Sequence, residues 1–483
     1  MDMLHDPLII LLIGMVLVIG GIIAFRLNPF LALLLAALVV AWMTPETSIV
    51  EYGLSRGMSQ SAAESLAARP IGDRIAAAFG TTTGQIGILI AMAAIIGKCM
   101  LVSGAAERIV RSILRVTGEQ KAPVAFISGS FFLGIPVFFD TVFYLMIPLA
   151  KAMAMKLKGN YLLLVLCVTA GAAMANSLVP PTPGPLFLIA EMDIPIGMMM
   201  VGGFLVGLVT IAVGYFFSVW ANRRWEIPLR DSPEAPLSEI KALAEKDVSS
   251  LPGVLSSLGP IIIPLGLISL KAGLETFFTP ESILLTGGLT KWAIEAVLFF
   301  GEKNLALILG ALAAILTVVQ QKSSEKDQVI KSVQVALTSA GVIILITAAG
   351  GAFGAMLQQT GISGRIAELT TGYQMALIPL AFFVTALVRT AQGSATVAMI
   401  TASGILSGMA TTSLEYHQLY LGLSIACGSK LVPWMNDSGF WIVCKMSNLT
   451  EKEALKTFSP LLTIMGFAGL AVIMLAAKLF PLI

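Results

Sequence analysis

The sequence has little charge and almost no histidine. Aspartate, glutamate, lysine and arginine make up 12% of the 483 residues, whereas 57% are hydrophobic. Soluble domains carry roughly 25% charged residues, so this composition excludes a soluble globular protein. We predict an all-α, polytopic membrane protein that lies in a lipid bilayer, with each crossing formed by about 20 apolar residues.

Cysteine and histidine are also too few, and too widely spaced, for a metal site or a disulfide framework. The sequence contains only His5, His417, Cys99, Cys167, Cys427 and Cys444, with no CxxC pair. A net charge of +2 gives no overall basic field for nucleic acid. We expect no metal, no cofactor and no nucleic-acid partner. An intramembrane hydrolase is not favoured either, because the chain has no HExxH or GxSxG motif.

Long apolar runs predict about ten transmembrane crossings. They cover residues 7–25, 29–44, 81–102, 161–190, 195–221, 253–272, 304–320, 331–358, 415–443 and 459–480. Two of these runs are interrupted, one at Pro180 and the other at Pro433, and they are predicted to be broken helices.

Two further apolar stretches are too long for a single crossing. The first, 122–156, is interrupted near Pro136. The second, 374–411, is interrupted near Gln392. We predict that each is a re-entrant helical hairpin, which enters and leaves the membrane on the same side. The charged stretch 222–252 is predicted to be a cytoplasmic linker, because lysine and arginine collect on the cytoplasmic side of membrane proteins.

An internal repeat is visible in the sequence. The segment GKCMLVSGAAERI (97–109) is similar to GAMLQQTGISGRI (354–366), and the two pairs of interruptions recur at nearly the same spacing. We therefore predict two repeats, 1–221 and 253–483. Each repeat contains an odd number of crossings, so the second is inverted relative to the first. Inverted repeats with broken helices are typical of secondary transporters.

Small and polar residues cluster at the four interruptions. The candidate substrate-binding residues there are Gly134, Asn176, Ser177, Thr182, Gln392, Gly393, Ser394, Thr396, Asn436, Asp437 and Ser438. Helix N-termini exposed at a break attract a carboxylate, and neutral donors and acceptors suit hydroxyl groups. The pattern favours a polyhydroxylated acid as the ligand. The alternative is that these side chains form hydrogen bonds between helices, as is common in membranes.

The interrupted segments also contain the charged residues Asp140, Arg389, Lys430 and Asp437. Ionisable groups inside a membrane are costly and indicate functional sites. Arg389 is predicted to attract the anion, because arginine stays charged. Asp140 is the first candidate for a proton carrier and Asp437 the second. The alternative is a structural ion pair between one of these carboxylates and Arg389 or Lys430.

Six stretches of the sequence resemble the gluconate permease family, the gluconate:proton symporters of the wider ion transporter superfamily. They are FLALLLAAL (30–38), VSGAAERI (102–109), GIPVFFDTVFYLMIPLA (134–150), LVPPTPGP (178–185), GSATVAM (393–399) and NDSGFW (436–441). Related permeases often carry histidine on both sides of the double proline, where this chain has Asn176 or Ser177 and Thr182. They commonly carry glutamate at the position of Asp140.

The resemblance implies a bacterial inner-membrane protein with a dimerising scaffold domain and a transport domain that moves like an elevator. The expected divisions are scaffold helices at 1–80 and 253–320, transport elements at 81–190 and 331–443, and further helices at 195–221 and 459–480. It also implies a homodimer that takes up a small sugar acid such as gluconate together with a proton. A D-serine permease of the same family, sodium coupling and a passive anion channel are the alternatives.

Overall fold

A computed structural model describes most of the chain. The described residues are 5–23, 25–157, 159–225, 227–231, 251–277, 288–321, 326–362, 364–365, 374–410, 414–435 and 437–482. Within these ranges the protein is all-helical and contains no strand, which confirms the predicted class. Seven of the described helices are long and apolar enough to cross a bilayer, or eight spans if one sharply bent pair is counted.

The first half of the chain follows the predicted order of elements. Its helices are α1 (Pro7–Ile23), α2 (Pro29–Met43), α3 (Glu46–Ser55), α4 (Gln60–Ala67), α5 (Ile71–Ser103), α6 (Ala105–Thr117), α7 (Ala122–Gly134), α8 (Phe139–Leu157), α9 (Tyr161–Leu178), α10 (Pro183–Glu191) and α11 (Ile196–Arg224). The interruption predicted near Pro136 separates α7 from α8, and the one at Pro180 separates α9 from α10. Proline lacks the backbone N–H that would continue either helix.

The second half contains the same kinds of element. Its helices are α12 (Val254–Phe277), α13 (Gly288–Phe300), α14 (Lys303–Gln321), α15 (Lys326–Gln358), α16 (Leu377–Gln392), α17 (Ala395–Ala410), α18 (Leu419–Gly428), α19 (Ser438–Ser447) and α20 (Glu451–Leu479). Gly393 ends α16 in the left-handed conformation, with φ of 79°, that only glycine adopts without strain. The segment around Pro433 separates α18 from α19.

The structure differs from the sequence-based map in several helix bounds. The predicted crossing at 81–102 begins ten residues earlier, at Ile71, and that at 459–480 begins at Glu451. Apolar runs could not reveal these extensions, because the added turns carry charged or small residues. For the same reason the short helices were missed, namely α3, α4, α6 and α13. Residues 232–250 of the predicted linker lie outside the described residues.

Corresponding helices in the two halves pack against corresponding neighbours. Helix α7 packs on α9 and α16 packs on α18, while α5 lies along its counterpart α15. The interrupted segments of one half also contact those of the other half: α8 contacts α19, and α10 contacts α17. A twofold relation between two repeats would produce this reciprocity. The two repeats, their opposite membrane orientation and the re-entrant hairpins stay predictions.

Two glycines allow α9 and α18 to lie directly on α7 and α16, respectively. A Cβ atom at Gly171 of α9 would overlap the backbone oxygen of Ile127 in α7. A Cβ atom at Gly428 of α18 would overlap the backbone oxygen of Phe382 in α16. All eighteen residues of α9 are buried, so this helix has no lipid-facing side toward which it could shift. These contacts therefore fix the positions of α7 and α16 relative to the centre of the protein.

We expect Gly171→Ala and Gly428→Ala each to destabilise the protein by about 1–3 kcal/mol or more, the range for overpacking a close-packed interior. The measurement is the thermal midpoint of the purified protein in detergent. Gly341→Ala, at a helical glycine with no heavy atom near the added carbon, is the matched control and should leave the midpoint unchanged or raised. Unchanged midpoints for both test variants would contradict the packing described here.

Candidate functional site

The interrupted segments of both halves meet around one cavity of about 390 Å³. Its walls come from α8, α9, α15, α16, α17, α19 and α20, and from the segment between α18 and α19. A volume of this size is typical of small-molecule sites, which range over roughly 300–1,000 Å³. One part of the wall is apolar, with Phe139, Ile343 and Phe458 among its residues, and the rest is polar or charged.

Three helices begin at this cavity. Residues 139–141 at the start of α8, 394–397 at the start of α17 and 437–439 at the start of α19 all line it. The N-terminal end of a helix has free N–H groups and a partial positive charge, so it attracts anions. Asp140 and Asp437 already occupy two of these ends, on α8 and α19, so the N-terminal end of α17 is left to attract the carboxylate of a ligand.

A buried ion pair forms one side of the cavity. The Nη2 atom of Arg389 donates to the Oδ2 atom of Asp437, and the two residues are only 4% and 6% exposed. The second carboxylate oxygen of Asp437, Oδ1, accepts the backbone N–H of Gly439 at 2.7 Å and caps α19. Sequence alone left open whether Asp437 would pair with Arg389 or stand free, and the structure brings the two together.

Several polar atoms at the cavity have no partner among the described residues. The Nε and Nη1 atoms of Arg389 are buried without a hydrogen bond, and so is the side-chain oxygen Oδ1 of Asn176. Buried polar groups in proteins are nearly always hydrogen-bonded, so an unpaired group calls for a ligand or water. Arg389 therefore offers two free donors and Asn176 one free acceptor, which together match a carboxylate and a hydroxyl group.

Neutral side chains add further hydrogen-bonding capacity to the cavity. Ser394, Thr396 and Ser438, three of the predicted binding residues, all line it. The Ser394 hydroxyl accepts the backbone N–H of Val397 at 3.3 Å and thereby caps α17. A hydroxyl group that accepts one hydrogen bond can still donate another, so these residues can contact a polyhydroxylated ligand.

Asp140 lies in a different environment from Asp437. It is in the first turn of α8, lines the cavity and is exposed. Its Oδ1 atom accepts the backbone N–H of Thr141 at 2.8 Å. Asp140 therefore has access both to solvent and to the cavity, whereas Asp437 is enclosed and paired.

Four of the predicted binding residues do not line the cavity. Gly134 packs against Ala172 and Ala175 of α9, and Gly393 forms the turn between α16 and α17. The Ser177 hydroxyl accepts a hydrogen bond from Ser429, at 3.5 Å, where the two broken helices meet.

Thr182 closes the break between α9 and α10, because its hydroxyl donates to the backbone oxygen of Asn176 at 2.8 Å. The side chain of Gln392 and the whole of Asn436 lie outside the described residues.

The cavity wall also contains a residue outside the predicted binding set. Lys430 lines the cavity and is only 4% exposed. An ionisable side chain in an apolar membrane segment is energetically costly, so the sequence already indicated a functional role for this lysine. Its position on the cavity wall depends on the turn taken by the chain after α18, which helical periodicity cannot predict.

Comparisons with known proteins agree with this architecture. A sequence model described as GntP family permease matches residues 6–479. The chain is 30% identical over 477 residues to the gluconate permease of Pseudomonas aeruginosa, covering 98% of both chains. It is 31% identical over 468 residues to the inner membrane permease YgbN of Escherichia coli, covering 96% of both chains.

A solved structure has a similar fold. The chain is similar to MtrF of Neisseria gonorrhoeae, which its structural report assigns to a class of antimetabolite efflux pumps. The TM-score is 0.59 at 14% sequence identity, and the match covers 84% of this chain and 83% of MtrF. At this identity the similarity concerns the fold alone.

Proposed function

The chain belongs to the GntP family of permeases and is a multi-pass transporter of the bacterial inner membrane rather than an enzyme. We propose that it takes up gluconate or a related sugar acid together with a proton. The observation that carries this proposal is the cavity itself, where three helix N-termini and two buried cations surround a space of suitable volume. The gluconate permease of Pseudomonas aeruginosa, similar over nearly its whole length, supports the choice of sugar acid.

The protein binds both the carboxylate and the hydroxyl groups of the substrate. The free Nε and Nη1 donors of Arg389 bind its carboxylate. Asn176, Ser394, Thr396 and Ser438, which lie on the same cavity wall, bind its hydroxyl groups. Since Asp437 is occupied by Arg389 and Gly439, it orients the guanidinium rather than the substrate.

A proton enters with the anion through Asp140. A substrate carboxylate in the cavity repels the carboxylate of Asp140 on the same wall, and this repulsion favours uptake of a proton. Because Asp140 is exposed, the proton can arrive from water. Asp437 is the second candidate, but it would have to give up its bond to Arg389 first.

An elevator-type movement of the transport elements, in a homodimer, completes the proposal. A small cavity between the interrupted segments and their neighbours is lined by apolar residues, including Pro136 and Pro180 on one side and Pro264 and Ile268 on the other. An apolar boundary of this kind can slide without breaking hydrogen bonds between the two sides. The dimer and the movement are implied by the resemblance of the sequence to the wider superfamily.

The proposal is tested by counterflow of labelled gluconate in proteoliposomes, with unlabelled aldonates, uronates and D-serine as competitors. We expect the sugar acids to compete, and an imposed inward pH gradient, but not a sodium gradient, to drive accumulation. Competition by D-serine alone would contradict the assignment of a sugar acid. Flux that never concentrates the solute under a pH gradient would instead indicate a passive anion channel.

A further inference from the structure

Lys430 is a buried lysine whose amine has no hydrogen-bond acceptor among the described residues. It lies on the cavity wall and is 4% exposed, and its side-chain amine makes no hydrogen bond within the described part of the chain. Other buried basic side chains have partners within the protein. Arg74 donates a hydrogen bond to Gln359 at 2.6 Å, and Lys151 also has a partner. A buried charge normally needs pairing and hydrogen bonding, so the unpartnered amine of Lys430 points to an anionic ligand.

The charges around Lys430 leave one positive charge in excess. Its charged neighbours are Arg389 and Asp437, which neutralise each other in their ion pair. Both oxygens of Asp437 already accept hydrogen bonds, one from Arg389 and one from Gly439. The buried set of Arg389, Lys430 and Asp437 therefore balances one negative charge brought by a ligand, once the exposed Asp140 on the same wall has taken up its proton.

We propose that Lys430 is the specificity-determining residue of the site, which binds the single carboxylate of a sugar monoacid and excludes zwitterions, while the single excess charge of the buried set disfavours dianions. The inference rests on the proposed function. A zwitterion such as D-serine would bring an ammonium group next to two cations, and this repulsion disfavours it. A dianion such as glucarate would leave one negative charge unbalanced in a buried space.

The experiment measures counterflow of gluconate, with glucarate and D-serine as competitors, in proteoliposomes containing wild-type protein, Lys430→Gln or Lys430→Arg. We expect Lys430→Gln to weaken the apparent affinity for gluconate roughly 10- to 100-fold, the range for losing one hydrogen bond to a charged group. The ratio of gluconate to D-serine affinity should fall as well. Lys430→Arg keeps the charge and should retain the wild-type ratio.

Two controls separate the possible failures. Lys445→Gln, at an exposed lysine of the neighbouring helix α19, should behave like the wild-type protein. Lys430→Met is a second neutral variant, to be used if the glutamine variant is not folded by size-exclusion chromatography. A wild-type protein that fails to exchange gluconate refutes the proposed function. A wild-type protein that exchanges gluconate, with folded neutral variants of unchanged affinity and unchanged selectivity, refutes the role of Lys430 alone.

Discussion

Replacing Arg389 with glutamine is expected to reduce uptake of labelled gluconate roughly 100-fold or more. The reason is that losing one partner of a buried, hydrogen-bonded charge pair costs about 2–5 kcal/mol of binding free energy. The substitution removes the free donors at Nε and Nη1. It also leaves the carboxylate of Asp437 buried without its partner. Breaking a buried pair in this way destabilises a protein by about 3–5 kcal/mol, so the thermal midpoint should fall together with transport.

The double variant Arg389→Gln/Asp437→Asn separates the two effects. It removes both charges of the pair, so neither is left uncompensated, and we expect the thermal midpoint to recover most of its loss. Transport should not recover, because the substrate carboxylate still lacks the guanidinium. Recovery of transport in the double variant would mean that the pair is only structural and that the substrate binds elsewhere.

The second large effect is expected at Asp140. Asp140→Asn should abolish accumulation of gluconate driven by a pH gradient, while exchange of labelled for unlabelled gluconate stays detectable. The physical reason is that asparagine preserves the size of the side chain but cannot take up a proton. The comparison of gradient-driven uptake with exchange, in the same proteoliposomes, measures coupling separately from binding.

Asp193→Asn is the matched control for this prediction. Asp193 is an exposed residue outside the cavity with φ of 52°, a conformation that asparagine tolerates well, so its replacement should leave both assays unchanged. Gradient-driven accumulation that persists in Asp140→Asn would exclude Asp140 as the proton carrier. Loss of exchange as well as accumulation would show that Asp140 contributes to binding rather than to coupling.

The fold was largely predictable from hydrophobicity and from helix-breaking residues. Both act locally: apolar runs predicted the membrane helices, and Pro136, Pro180 and Pro433 marked three of the four interruptions. The fourth, near Gln392, coincides with the left-handed turn at Gly393. Helix α6 was missed because it alternates apolar residues with charged ones such as Glu107, Arg108 and Arg115, and such a pattern has no long apolar run.

The site was only partly predictable, for a physical reason that differs from residue to residue. Arg389 sits in the last turn of a helix that ends at the cavity, and Asp437 and Ser394 directly precede helices that begin there, so all three lie on the cavity wall. Ser177 and Thr182 sit at equally polar interruptions, but the Ser177 hydroxyl contacts the Ser429 hydroxyl and the Thr182 hydroxyl contacts the backbone oxygen of Asn176. The direction of a side chain in an irregular segment depends on tertiary packing, which the sequence pattern does not contain.

The most direct measurement is a structure of the protein determined with gluconate bound. We predict that the gluconate carboxylate lies in the cavity, with one oxygen about 2.7–2.9 Å from a nitrogen of Arg389, as in other charge-assisted hydrogen bonds, and with Lys430 facing the same group. Gluconate bound outside this cavity, or inside it with the carboxylate turned away from both cations, would contradict the proposed site.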